Sequence, residues 1–331
     1  MGKEVVVKKI QNKHIDLREL LFNLEAINPD EFKEKENTDS IELYFITKDK
    51  SSNGKYTYSA YSPSISKKIQ REMKGITIKR IQETIQTIEE KEFVLGDYNP
   101  SGQVEGVIEE CDKTFIKNVE DLTLSLTLDN QLEKMINVND IHTYCFDFKH
   151  KDERIIAFRR FTKMRRLREG FLGTLVDGTF SEIAGDILGV DNDIDLILYK
   201  EKILILNHIS LERIFDLEEQ FKNEAREIID VIEKQDLILN FEDFEKDVLG
   251  NIPAIKRLTK IKANETLPLF FKNFDKVVEV SKAFGLGITF NDDESKIIYE
   301  DKSQLTEITL LMNDAYYKTL IGGQTGTDKL K

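Results

Sequence analysis

Residues 141–208 read IHTYCFDFKHKDERIIAFRRFTKMRRLREGFLGTLVDGTFSEIAGDILGVDNDIDLILYKEKILILNH, and this stretch decides the fold. Within it IHTYCFDFK, RIIAFRRF, FLGTLVD, DIDLILYK and KILILNH are short apolar or alternating runs with brief polar breaks between them. Strands spaced this closely leave no room for crossover helices. They predict an antiparallel or mixed sheet and exclude a doubly wound parallel one. Helical spacing takes over downstream, over 210–214, 218–234, 241–249, 253–262 and 268–284. A strand pair, GITF and SKIIYE, then precedes a last helix over 304–320, and the tail GGQTGTDKLK is expected to fray.

Upstream the texture is mixed. Leu17, Leu20, Leu21 and Leu24 give a helix over 16–26, and SIELYFITK alternates as a half-buried strand does. Asn53-Gly54 is a hairpin turn with KYTYSAY as the returning strand. A helical pattern runs from Ile65 to Ile88 with a break expected at Gly75, residues 97–102 form a loop, and helical spacing returns over 114–136. The fold class is therefore α+β. A mixed N-terminal module occupies 1–137, and a larger module of mostly antiparallel sheet followed by helices occupies 138–331.

The chain has 331 residues, 61 acidic against 48 basic side chains, and a net charge of −13. Its apolar runs are too short to cross a bilayer. The N-terminus MGKEVVVKKIQNK carries charge where a signal peptide needs an apolar stretch. With only two cysteines, a cytoplasmic location is expected. The net charge excludes a uniformly basic nucleic-acid binder, but it is an average. Residues 89–147 carry 14 acidic and 4 basic side chains, and residues 186–247 carry 18 and 7. Between these blocks RIIAFRRFTKMRRLR holds Arg154, Arg159, Arg160, Lys163, Arg165, Arg166 and Arg168 with no acid, a charge of +7 in 15 residues. Six of the chain's 12 arginines fall there. The planar guanidinium grips phosphate or carboxylate through two parallel bonds. The window is therefore read as a phosphate-binding site, the alternative being a clamp on the protein's own acidic blocks or on a second subunit. A secondary surface is expected on IPAIKRLTKIKAN, where Lys256, Arg257, Lys260 and Lys262 lie on a short helix and Lys256 and Lys260 share a face.

Catalytic signatures are thin. Cys111 and Cys145 are 34 residues apart and meet no zinc spacing, so both are read as core residues. No nucleophile elbow or phosphate-binding Gly-rich loop is present. Asp191, Asp193 and Asp195 resemble the start of a calcium loop, but its glycine and distant glutamate are missing. They are read as a turn leading into a strand. Glu294-Ser295-Lys296 after Asp292-Asp293 is the one pattern a metal-dependent nuclease could use, and triplets this short recur by chance. No catalytic residue, metal or cofactor is expected.

The segment from Phe158 to Leu217 resembles the KwaB family, the soluble component of the Kiwa anti-phage defence system. The matching elements are the arginine-rich run, the strand start Asp195-Leu196-Ile197, a second strand ending in Asn207, and the short helix Leu211-Glu212-Arg213-Ile214-Phe215. Residues 310–323, LLMNDAYYKTLIGG, resemble the family's closing helix, so the likeness covers roughly 140–323. It implies a double-stranded DNA binder without strong sequence preference that works with a membrane-embedded KwaA-like partner. A homodimer or higher homo-oligomer is expected. The competing readings are a metal-dependent nuclease and a structural, oligomer-forming protein.

Overall fold

The computed structural model describes residues 14–31, 39–50, 56–127, 140–161, 173–176, 179–182 and 188–328. These divide into one compact unit of residues up to 97 with 106–215, and a second of 98–105 with the residues from 216 onward.

The first unit is built on an eight-stranded sheet. Its strands are β1 (Ser40–Lys50), β2 (Tyr56–Tyr61), β3 (Val94–Asp97), β4 (Val107–Asp112), β5 (Ile141–His150), β6 (Glu153–Arg160), β9 (Leu196–Tyr199) and β10 (Lys202–Ile205), in the order β2-β1-β5-β6-β9-β10-β4-β3. Every neighbouring pair is antiparallel except β3 with β4. β5 and β6 close on Lys151-Asp152, with Lys151 in the left-handed region (φ 54°) that a two-residue hairpin requires. A separate hairpin joins β7 (Gly173–Val176) to β8 (Thr179–Glu182).

Two helices supply the core on one face of this sheet. In α1 (Leu17–Ala26) the Asp16 carboxylate accepts from the amides of Arg18 and Glu19, and Leu17, Leu20 and Leu24 form the buried stripe. α2 (Lys67–Lys91) is capped by Ser66 and buries Met73 and Ile81. These side chains pack with Leu43 and Phe45 of β1, Phe146 and Phe148 of β5, Ala157 of β6 and Ile197 of β9. α2 runs unbroken through Gly75, where a break was expected. A mid-helix glycine costs only about 1 kcal/mol, less than the packing on either side returns. α3 (Val119–Ser125) and α4 (His208–Ile214) complete the unit, and the Phe158 ring meets Phe215 edge-on at 6.0 Å.

The second unit is mainly helical: α5 (Leu217–Glu233), α6 (Phe241–Leu249), α7 (Ile252–Asn264), α8 (Leu267–Lys272), α9 (Phe274–Phe284) and α10 (Leu305–Met312). β11 (Ile238–Leu239), β12 (Thr289–Phe290) and β13 (Ile297–Ile298) form a small sheet, and β14 (Tyr316–Lys318) pairs with β15 (Thr325–Thr327). α5 and α7 pack along their apolar stripes, that of α5 being Leu217, Phe221, Ala225, Ile228 and Ile232.

The architecture is α+β, as expected, but the sequence division at 137/138 falls inside the large sheet. β1 pairs with β5 along most of its length and β4 pairs with β10, so strands from both expected modules share one ladder. The helix expected over 268–284 is broken at Asn273, which leaves helical geometry (φ −117°, ψ 42°). The helix expected over 304–320 stops at Met312. Asp314 turns left-handed (φ 52°), and the Tyr-Tyr pair that follows enters the β14–β15 hairpin, so the described part of the tail is paired and not frayed. Among the described residues no helix is long and apolar enough to cross a membrane.

Candidate nucleic-acid interface

β6 carries the first part of the arginine window, and strand alternation sends its side chains to opposite faces. Arg154 makes a bidentate bond to Asp147, whose side chain is fully buried, with Nε donating at 2.9 Å and Nη2 at 2.8 Å. Arg159 donates through Nη1 to Asp195 Oδ1 at 2.7 Å and through Nη2 to Asp191 Oδ2 at 2.7 Å, with Asp193 Oδ2 at 3.3 Å. Its side chain is 19% exposed and that of Asp195 only 1%. Tyr144 Oη also donates to Asp191, at 2.9 Å. Burial would raise the Asp191 carboxyl, yet the bonds from Arg159 and Tyr144 hold it below the usual carboxylate range. Arg154 and Arg159 are thus clamps on internal carboxylates, the role the alternative reading gave them. The aspartates read as a turn leading into a strand are the partners of that clamp.

Asp195 is the node of the arrangement. Its side chain holds Arg159 through Oδ1 and accepts the Arg160 amide through Oδ2 at 2.8 Å. Its backbone amide donates to the Phe158 carbonyl, and its own carbonyl accepts from the amides of Leu206 and Asn207. Asn207 in turn caps α4 by accepting from Ser210. The end of β6, the start of β9, the end of β10 and the start of α4 therefore meet at one buried residue, the first two through its side chain and amide and the last two through its backbone carbonyl. Arg160 itself is half-buried and lies next to buried Phe161. Lys163, Arg165, Arg166 and Arg168 lie outside the described residues. The two stems that flank them, 158–161 and 188–195, are fastened together by Arg159 and Asp195.

α7 does not present its four cations as one surface. The face shared by Lys256 and Lys260 turns inward: Lys256 Nζ stands 5.9 Å from the Phe221 ring centroid, and buried Lys260 donates to Asn99 Oδ1 at 3.0 Å. Arg257 donates to the Thr309 hydroxyl at 2.8 Å, and burial pulls its guanidinium below the usual value. Lys262 is exposed and paired with Glu227. Helical spacing places charges on a face, but it cannot tell whether that face meets solvent or a neighbouring helix.

Two buried carboxylates escaped the sequence reading. Glu109 and Glu110 of β4 point to opposite faces. Glu109 accepts from His208 Nδ1 at 2.7 Å, and Glu212 flanks the same imidazole at 3.1 Å from Nε2. Burial alone would lower the His208 pKa, but the two carboxylates outweigh it and push it up to about 9. Glu110 holds His14 at 3.0 Å, the Ile15 amide at 2.8 Å and Lys202 at 3.3 Å. The available signal was two adjacent acids inside the apolar run VIEEC.

Glu294 and Lys296 sit at the turn between β12 and β13, where Glu294 pairs with Lys282 and Lys296 with Asp236. Among the described residues no group of three or more His, Cys, Asp or Glu side chains comes together to hold a metal ion. Both cysteines are buried.

A family model described as Kiwa protein KwaB-like matches residues 138–322, from β5 through the loop of the β14–β15 hairpin. No curated protein and no solved structure matches the chain.

Proposed function

The chain belongs to the Kiwa protein KwaB-like family and so is a component of Kiwa anti-phage defence; within that system, we propose that it binds double-stranded DNA through the phosphate backbone without reading sequence. It works with a membrane-embedded KwaA-like partner that recruits it from the cytoplasm to the inner face of the membrane, forms a homo-oligomer, and makes no covalent change to the DNA. The observation that carries this reading is the basic segment after Arg160. An otherwise acidic chain concentrates Lys163, Arg165, Arg166 and Arg168 directly beyond a strand end clamped to Asp191 and Asp195. Arg154 and Arg159 serve as anchors, and contact with phosphate falls to Arg160 and the four cations that follow it. Phosphate contacts position a protein on a duplex without conveying base identity. The acidic remainder disfavours other orientations.

The test is binding of a labelled 30-base-pair duplex across a salt series, wild type beside a variant with Lys163, Arg165, Arg166 and Arg168 changed to alanine. If each cation neutralises one phosphate, the log–log salt slope flattens by up to about 3.6, and all sequences weaken alike. Unchanged affinity and slope refute the assignment. Loss of supercoiled plasmid in magnesium or manganese, abolished by Glu294→Gln, would refute the non-enzymatic part.

A further inference from the structure

The β14–β15 hairpin is a braced arm with a bare apolar tip. At its root the Tyr316 ring meets Phe284 of α9 edge-on at 5.1 Å, and the Asp328 amide donates to the Ala315 carbonyl at 2.7 Å. Along the arm Tyr317 lies over its cross-strand partner Gly326, where a Cβ would come within 2.7 Å of the ring. At the far end the Thr319 amide donates to the Gln324 carbonyl at 2.8 Å, and the Gln324 amide donates to the Thr319 hydroxyl at 2.9 Å. Gly323, in the left-handed region (φ 63°), donates its amide to the Thr319 carbonyl at 3.0 Å. An isolated two-stranded ribbon is marginal in water, so these bonds are what hold the arm in one shape. Its turn presents Leu320 and Ile321 at 102% and 103% exposure, as bare as in an unfolded chain. Single exposed aliphatic side chains are ordinary on a surface, but an adjacent pair on a braced turn is a protruding knob.

The same unit holds a matching hollow. A cavity of about 210 Å³ is lined by Leu269 and Phe270 of α8, Val277 and Val280 of α9, Leu311 of α10 and Tyr316. Leu269, at its lip, is itself exposed. An apolar cavity of about 150 Å³ already holds a benzene molecule, so this one admits a branched aliphatic side chain. Tyr316 belongs both to the cavity wall and to the root of the arm. Leu320 is four residues further on, about 13 Å along a strand, so knob and hollow lie near one another on the surface. The braced arm cannot bend its tip back onto its own root. A second copy turned by a two-fold axis can bring each tip to the other's hollow. We infer that Leu320 and Ile321 of one copy insert into this cavity of a second copy, and reciprocally, as an isologous contact between two chains. A two-fold pair requires a self-complementary surface of this kind, and closure fills both cavities at once. The inference rests on the homo-oligomer of the proposed function and supplies its contact.

The experiment is sedimentation of the full chain across a concentration series, wild type beside Leu320→Ser/Ile321→Ser and Leu269→Arg. All three changes fall at exposed positions and remove no core side chain, and thermal unfolding checks that each variant is folded. If each tip buries two aliphatic side chains, the tip variant raises the dimer Kd at least about 100-fold, and Leu269→Arg raises it too. Mixed together, the two variants supply one intact tip and one intact cavity, so the mixture should associate more tightly than either alone. As a second readout, Leu320→Cys mixed with Leu269→Cys should be joined by a short bismaleimide in higher yield than either variant by itself, both native cysteines being buried. A wild-type oligomer that neither variant weakens overturns this contact and leaves the homo-oligomer standing. A monomeric wild type overturns both. Weakening by the tip variant with no recovery on mixing and no cross-link overturns the cavity as the seat of the tip. A monomer that floats with phosphatidylglycerol vesicles only while its tip is intact makes the tip a lipid contact and overturns the inference equally.

Discussion

Removing the Arg159 side chain separates an anchoring role from a phosphate-contacting one. In Arg159→Ala, the Asp195 carboxylate keeps, among the described residues, only its bond from the Arg160 amide and, 1% exposed, loses its counter-ion. Breaking one partner of a buried pair typically costs about 3–5 kcal/mol, because the remaining charge stays desolvated. Asp191 adds little to this figure, being half-exposed and still bonded to Tyr144. In a compact unit of roughly 200 residues, where each kcal/mol shifts Tm by about 2–4 °C, the loss amounts to a fall on the order of 10 °C. Thermal and urea unfolding of Arg159→Ala, Asp195→Asn and the double variant complete a cycle. The second change should cost much less once the first is made, with a coupling of about 2 kcal/mol or more. Additive singles, or a cost below about 1 kcal/mol for Arg159→Ala, would refute the anchoring argument. So would full stability combined with lost DNA binding, since Arg159 would then face the ligand.

Two other groups give independent checks. His208 has a folded pKa of about 9 against about 6.5 when unfolded, so its contribution is fully present below pH 6.5 and lost as pH rises through 9. Stability should therefore decline by roughly 3 kcal/mol across that window, and His208→Gln should remove this component of the pH dependence; an unchanged profile in that variant speaks against the Glu109–His208–Glu212 arrangement. Burial pushes the Cys111 thiol up to about 12 and raises that of Cys145 well above its ordinary value. Both should resist a thiol reagent at neutral pH in the folded protein and react at once in denaturant, so fast labelling of the native protein would contradict the packing of β4 and β5.

What the sequence made legible follows from signal strength. The β1–β2 hairpin was readable because alternation and Asn53-Gly54 agree, and β5, β6, β9 and β10 because their apolar runs are dense. β3 and β4 were not, because VLGD is short and contains glycine, while VIEECD buries two carboxylates where a hydrophobic pattern is expected. Their absence placed a domain boundary across a continuous sheet. The arginine window was conspicuous as charge, but a count carries no direction. The register of the β5–β6 hairpin contained the missing information: a turn at Lys151-Asp152 sets Arg154 opposite Lys149, one diagonal step from Asp147. The partners of Arg159 lie more than 30 residues downstream, and only the return of β9 beside β6 brings them within reach.

The fastening at Asp195 has a consequence for how this protein can vary. Because the stems on either side of residues 162–187 are held by Arg159, Asp195 and their backbone bonds, the sheet does not depend on the length of the chain between them. The region is, in engineering terms, an interchangeable cassette. Replacing its cations should leave intact the socket formed by Arg159 and Asp195.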